Sequence, residues 1–180
     1  MYPDLPLTLE TDGTNIVKWW VDAFFAVHPD MKSHTGATMS LGKGSVYSTS
    51  IRQKLNTTSS TEAELVGVSN VMPMIMWTMY FLQEQGYTVN DTTIYQDNQS
   101  VMLLEKNGRA SSGKRTRHIN IRYFFVMDKV KSGEVSIEYC PTEAMSADPF
   151  TKPLGGSKFR FFRRRILNLP PDILPQELSG

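Results

Sequence analysis

Residues 16–24 read IVKWWVDAF, a run of β-branched and aromatic side chains that carries an aspartate near its end. A run of that kind is a buried strand, central in its sheet. A charge left unpaired inside it is costly, so Asp22 needs a partner at the C-terminal end of the strand.

The chain around that strand punctuates clearly. His28-Pro29-Asp30 marks a loop from His28 to Ser33. Thr35 to Leu41 and Ser45 to Arg52 are two further strands, and Gly42-Lys43-Gly44 between them is a hairpin turn signal, which predicts an antiparallel meander. After the polar break from Asn56 to Thr61, Ser59 and Glu62 fit a capping box. Apolar residues then fall at Leu65, Val68, Met72, Ile75, Met79 and Leu82, the gaps of a helix with one buried stripe. Pro73 interrupts it, so a kink or restart is expected near residues 69–73, and Gly86 ends it. Thr92 to Asp97 is a short buried strand, Asn98 to Glu105 a short helix, and Lys106 to Arg117 a basic loop. His118 to Lys131 is helical, Gly133 stops it, and Val135 to Cys140 alternates as a strand. A helix from about Glu143 or Ser146 is expected to carry Asp148, and Lys158 to Leu169 is a basic amphipathic helix before a Pro-containing tail. Early adjacent strands and later alternation describe an α/β fold, a mixed sheet with helices on its faces.

A chain of 180 residues is one domain with a short tail, and 40% hydrophobic against 21% charged residues is enough for a packed core. Lys+Arg 19 against Asp+Glu 18 excludes a strongly basic nucleic-acid coat and an acidic solvating tail, yet leaves room for an enzyme that separates a basic face from an acidic site. The single cysteine, Cys140, excludes a disulfide scaffold and a cysteine-based zinc site and points to a reducing, intracellular compartment. No eighteen consecutive residues are apolar, and the first fifteen carry acids without a base, so neither a membrane span nor a signal peptide is expected.

Four acids stand at element ends: Asp22 and Asp97 close strands, Glu64 lies in the first turns of the long helix, and Asp148 begins the last helical region. Parallel neighbouring strands would bring Asp22 and Asp97 to one sheet edge, where ligands of α/β sheets gather. Four carboxylates in one cleft repel each other, and hard divalent cations with oxygen ligands resolve that. Two magnesium ions roughly 4 Å apart suit in-line hydrolysis of a phosphodiester. Most acids on a protein are solvated surface groups, but Asp22 and Asp97 interrupt apolar strands. Glu62 competes with Glu64, about 200° away on the helix, and is assigned to the cap.

The motifs WWVDAFFAVHPDMKSHTG, SSTEAELVGV, YQDNQSVMLLEKNG, RTRHINIRYFF and IEYCPTEAMSADPFTKPL occur in that order. Together they make the chain resemble the ribonuclease H domain of copia-type (Pseudoviridae) LTR retrotransposon polyproteins. The resemblance implies a ribonuclease H-like fold with a five-stranded mixed sheet, three antiparallel strands first and helices on both faces. It implies hydrolysis of the RNA strand of RNA–DNA hybrids during reverse transcription, with two Mg2+ ions for which Mn2+ substitutes. The family's catalytic and metal-holding acids fall on Asp22, Glu64, Asp97 and Asp148. Its hybrid-contacting residues fall on Ser59, Ser60, Thr61 and Gln99, with Arg115, Arg117 and His118 beside them. The implied partners are the hybrid and the reverse transcriptase domain of the same polyprotein, in the cytoplasm or a virus-like particle, with no membrane and no small-molecule cofactor. Residues 1–15 then read as the remnant of a connection, 16–155 as the ribonuclease H-like domain, 156–169 as a basic C-terminal helix and 170–180 as a tail.

Two departures from the family stand out. Many ribonuclease H enzymes carry a histidine just before the last acid that assists metal or product handling, but Thr142 to Ala147 has none, so His118 either fills part of that role or only caps its helix; and Pro149 stands where a larger apolar residue is commoner. The competing reading is a catalytically weak or inactive hybrid-binding or tethering domain, against which the intact quartet of acids argues. Loop chemistry is favoured over a metal cluster for His28, Asp30 and His34. The basic residues Arg109, Lys114, Arg115, Arg117 and Arg122 are read as phosphate contacts. The cluster of Lys158, Arg160, Arg163, Arg164 and Arg165 could bind nucleic acid or dock on the polyprotein. Of Trp19 and Trp20, on opposite strand faces, one belongs to the core and the other is covered by a helix or a partner.

Overall fold

A computed structural model describes residues 5–98 and 117–170. In chain order the strands are β1 (Glu10–Thr11), β2 (Ile16–Phe24), β3 (His34–Ser40), β4 (Gly42–Lys43), β5 (Tyr47–Arg52), β6 (Asp91–Gln96) and β7 (Ser136–Tyr139). The helices are α1 (Ser60–Glu84), α2 (Arg117–Lys131) and α3 (Gly156–Leu167).

The aromatic run is β2, as its composition predicts, and it is the middle strand of a five-stranded sheet ordered β5-β3-β2-β6-β7. β2, β3 and β5 form the expected antiparallel meander, while β6 runs parallel to β2 and β7 parallel to β6. The Gly42–Lys43 step is more than a turn, because it pairs with Glu10–Thr11 in a small second sheet. That pairing joins segments some thirty residues apart, which local patterning does not reveal.

Alternation along β2 sorts its side chains between two cores. Val17, Trp19 and Val21 face α1 and α2, joining Val68, Met72, Ile75, Ile94, Tyr123 and Val126 in the main core. Each such aliphatic side chain, fully buried, contributes about 1.5–3 kcal/mol. Trp20 packs on the opposite face with Cys140, Met145 and Ala147, stacks on Tyr95 and lies beneath the Arg165 guanidinium of α3. Both tryptophans are therefore covered within the chain.

Ser59 caps α1, accepting from the Glu62 amide at 3.2 Å, but the Glu62 carboxylate turns back to the Thr58 amide at 2.7 Å rather than to Ser59. The expected restart at Pro73 does not occur: α1 is one helix of 25 residues. Pro73 lies on its solvent face while Met72 and Ile75 on either side are buried, so packing on the core side carries the helix past the proline. By length and composition α1 is long and apolar enough to cross a membrane, but most of that stretch is buried, as in a core helix.

The α-helix expected from Glu143 or Ser146 is replaced by two short 3-10 turns, Thr142–Ala144 and Asp148–Phe150. Pro149 has no N–H to give the Met145 carbonyl, which accepts instead from the Asp148 amide at 3.1 Å, so a helix begun at Glu143 does not run through it. The short helix expected over residues 98–105 and most of the basic loop after it lie outside the described residues.

Candidate active site

The site lies at the carboxyl end of β2. The parallel register pairs Trp20 with Tyr95, so Asp22 and Asp97, two residues further along each strand, emerge side by side. Gln96, buried just before Asp97, ties the two strand ends together by donating from Nε2 to the Val21 carbonyl at 2.9 Å. The 3-10 turn at Asp148–Phe150 lies over β3 and β5, with the Ser50 hydroxyl donating to the Phe150 carbonyl at 2.7 Å. From there Asp148 faces the same spot. Asp22, Asp97 and Asp148 each offer a carboxylate oxygen within 4.8 Å of the others, the one such cluster of possible metal ligands among the described residues.

Glu64 joins from the other side. Its position one turn into α1 lets Oε1 accept from the Ala23 amide at 3.0 Å, one residue past Asp22. Its Oε2 is buried without a hydrogen-bond partner. Asp22, Glu64 and Asp148 are 3%, 4% and 0% exposed, which is exceptional for carboxylates. Asp97 is half-buried and accepts from the Thr142 hydroxyl at 3.1 Å.

Burial dominates the electrostatics. It pushes the Glu64 carboxyl well above its ordinary range, the charges of Asp22 and Asp97 push the same way, and the Ala23 amide opposes them. Burial also raises Asp22, against the Thr151 hydroxyl, which donates to its Oδ2, and against Lys152. Lys152 pairs with Asp148 Oδ1 at 3.0 Å and reaches Asp22 Oδ2 at 3.7 Å, while Lys158 of α3 pairs with Asp148 Oδ2 at 2.9 Å.

Of the four acids named from the sequence, Asp22, Asp97 and Asp148 cluster, and Glu64 stands beside them on the Ala23 amide without being a member of that cluster. Ser60 is exposed and Thr61 half-buried at the start of α1, one turn before Glu64 on the same helix face, and Ser59 is engaged as the cap. Gln99 and Arg115 lie outside the described residues, as do Arg109 and Lys114. Arg117 and His118 open α2, so His118 is on a helix start as expected. Arg122 is not a free phosphate contact: it donates to Asn70 Oδ1 at 2.7 Å and ties α2 to α1. Within the C-terminal basic cluster, Lys158 is bound to Asp148, and Arg165 donates to the Ala144 carbonyl at 3.0 Å. His28 and His34 bond each other at 3.0 Å, His34 meets Ser50 at 2.8 Å and Asp30 pairs with Arg52 at 2.9 Å, so the three make loop contacts.

Sequence reasoning missed Thr151, Lys152 and Gly36. The only signal for the first two was their place just after Asp148, in a motif read for its acid alone. Gly36 lies directly across from Asp22 in the β2–β3 register. A Cβ there would lie 2.7 Å from the Thr151 methyl, 2.8 Å from Phe150 Cβ and 2.9 Å from the Ala147 carbonyl. Only a glycine lets the Asp148 turn settle onto the sheet. We expect Gly36→Ala to lose about 1–3 kcal/mol of stability by overpacking in denaturant melts, and to weaken any ligand that needs Asp22 and Asp148 together.

No family model matches the chain. It is similar to the retrovirus-related Pol polyprotein from transposon RE2 of Arabidopsis thaliana, 32% identical over 173 residues, which is 94% of this chain and 12% of that protein. It is also similar to the retrovirus-related Pol polyprotein from transposon TNT 1-94 of Nicotiana tabacum, 30% identical over 152 residues, 84% of this chain and 11% of that one. The chain therefore spans about a tenth of the length of these relatives. Among solved structures it is similar to LC11-RNase H1, isolated from compost by a metagenomic approach, with TM-score 0.55, 10% identity, and 76% of this chain and 92% of that one covered. The same protein solved in complex with an RNA/DNA hybrid gives TM-score 0.52 at 10% identity, covering 74% of this chain and 92% of that one.

Proposed function

Because the chain belongs to the Pol polyproteins of copia-type retrotransposons, as the portion with the ribonuclease H fold, we propose that it is a divalent-cation-dependent endonuclease that hydrolyses the RNA strand of RNA–DNA hybrids. The observation that carries this reading is the convergence of Asp22, Asp97 and Asp148, three carboxylates from separate elements with oxygens within 4.8 Å of one another.

The residues fit a hard cation. Every donor is a carboxylate oxygen, and Glu64 Oε2 is a buried acceptor with no partner in the protein. Such a set suits Mg2+ or Mn2+ with retained waters and substrate phosphate oxygens. Asp22, Asp97, Asp148 and Glu64 would hold the metal, two ions in our reading. The metal supplies activation of the attacking water and stabilisation of the leaving oxygen.

The rest falls to the chain's own side chains. Ser60 and Thr61, on the Glu64 face of α1, are in position to meet the 2′-hydroxyls of a wide, shallow minor groove as it crosses the acids. Ser59 holds the start of that helix by its cap. Gln99, Arg115, Arg117 and His118 are assigned to the hybrid by family resemblance. The reverse transcriptase of the same polyprotein is the proposed neighbour, in the cytoplasm or a virus-like particle.

The test is a gel assay with labelled RNA–DNA hybrid, duplex RNA and duplex DNA, at low salt, where phosphate contacts are strongest. The expected result is cleavage of the RNA strand of the hybrid alone, with Mg2+ or Mn2+ and not with EDTA. Hybrid binding without cleavage would instead mark a tether, and cleavage of DNA a different nuclease of the same fold.

A further inference from the structure

The carboxylates of the cleft are answered by lysines from their own neighbourhood. Both oxygens of Asp148 face lysines: Oδ2 accepts a hydrogen bond from Lys158 at 2.9 Å, and Oδ1, which has no hydrogen-bond partner, forms an ion pair with Lys152 at 3.0 Å. Lys152 also stands 3.7 Å from Asp22 Oδ2, so one ammonium bridges two of the three clustered acids. Its side chain is 30% exposed, at the mouth of a cleft whose acids are almost fully buried.

A cation that takes these oxygens meets a positive charge already placed on them. We propose that Lys152 is a resident counter-ion of the cleft that competes with the divalent cation for Asp22 and Asp148. This rests on the reading of the four acids as a metal site and adds what sets the affinity of that site. The lysine keeps two buried carboxylates together when no cation is bound, and loading requires it to withdraw. Its partial exposure permits that movement outward. Among the acids Lys158 pairs with Asp148 alone, and its ammonium also lies over the Phe162 ring, so it opposes the cation less.

The opposing view is that Lys152 is a clamp, fixing the Asp148 turn to β2 by its two contacts. The two views differ in sign. Removing a competitor tightens metal binding, whereas removing a clamp loosens the turn and weakens it.

The experiment is calorimetric titration of Mn2+ alone into the full chain, for the unmutated protein, Lys152→Met, Lys152→Arg and Lys158→Met. Thermal melting of each is followed in EDTA and in Mn2+. The expected result is that Lys152→Met binds Mn2+ about tenfold more tightly, the scale set by one close like charge. Lys158→Met should tighten less, and Lys152→Arg, which keeps the charge, should stay near the unmutated value. In EDTA Lys152→Met should melt lower, and Mn2+ should raise its melting temperature by more than that of the unmutated protein. If Lys152→Met folds only when Mn2+ is added, that also supports the proposal, because cation and lysine then do the same job. Equal or weaker Mn2+ binding by a folded Lys152→Met overturns it and leaves the metal site standing. Absence of Mn2+ binding in every protein overturns both.

Discussion

Asp97→Asn is expected to lower hybrid cleavage by about a thousandfold, or about 4 kcal/mol of barrier, while leaving the fold intact. Asp97 is the half-buried member of the cluster, and it accepts from the Thr142 hydroxyl at 3.1 Å, a bond that the asparagine carbonyl oxygen still accepts. The amide has nearly the shape of the carboxylate but loses its charge and one anionic ligand oxygen, the part a divalent cation needs. Single-turnover cleavage measured beside thermal melting separates the two effects. A variant that cuts as fast as the unmutated protein removes Asp97 from the proposed metal site.

Glu64→Gln is expected to do something less usual: to abolish cleavage and at the same time stabilise the protein in EDTA. The Glu64 carboxyl is buried, has Asp22 and Asp97 nearby and has one oxygen without a partner. Its folded-state pKa is raised above the unfolded value of about 4.5. Ionised Glu64 therefore opposes folding. This opposition is absent below the unfolded value, grows as pH rises above it, and levels off once pH passes the folded value. Glutamine keeps the acceptor for the Ala23 amide, carries no charge, and turns a donor toward the neighbouring carboxylates. A gain of about 2 kcal/mol at neutral pH, corresponding to a rise in melting temperature of about 4–8 °C for a chain of this size, is the expected scale. The gap between variant and unmutated protein should close near pH 4. A variant that melts lower than the unmutated protein at neutral pH would mean that the Glu64 charge is answered by the protein itself.

The two variants draw on residues that the sequence made visible for different reasons. Asp22 and Asp97 were legible because each interrupts an apolar strand, and a buried charge in a strand demands an explanation at once. β2, β6, α1 and α2 were legible through the period of their apolar residues, which is a local property. The parallel pairing of β2 with β6 was posed as a condition in the sequence reading, and the register establishes it.

What escaped the sequence is non-local or set by backbone chemistry. Gly36 has meaning only in the register that puts it opposite Asp22 and beneath the Asp148 turn, more than a hundred residues later. The Thr151 hydroxyl and the Lys152 ammonium reach Asp22 across 129 and 130 positions. The helix expected from Glu143 stops because Pro149 has no N–H for the Met145 carbonyl, while α1 continues through Pro73 within a long, largely buried helix. The β1–β4 pair has too few residues to leave a periodic trace.

The central claim is that Asp22, Glu64, Asp97 and Asp148 form one divalent-cation site. Its most direct measurement is anomalous diffraction from crystals of the full chain grown with Mn2+. The expected result is an anomalous peak in contact with carboxylate oxygens of Asp22, Asp97 and Asp148, with Glu64 drawn toward it or toward a second peak beside it. Manganese bound only elsewhere on the protein, with those carboxylates still engaged by Thr151, Lys152 and Lys158, would contradict it.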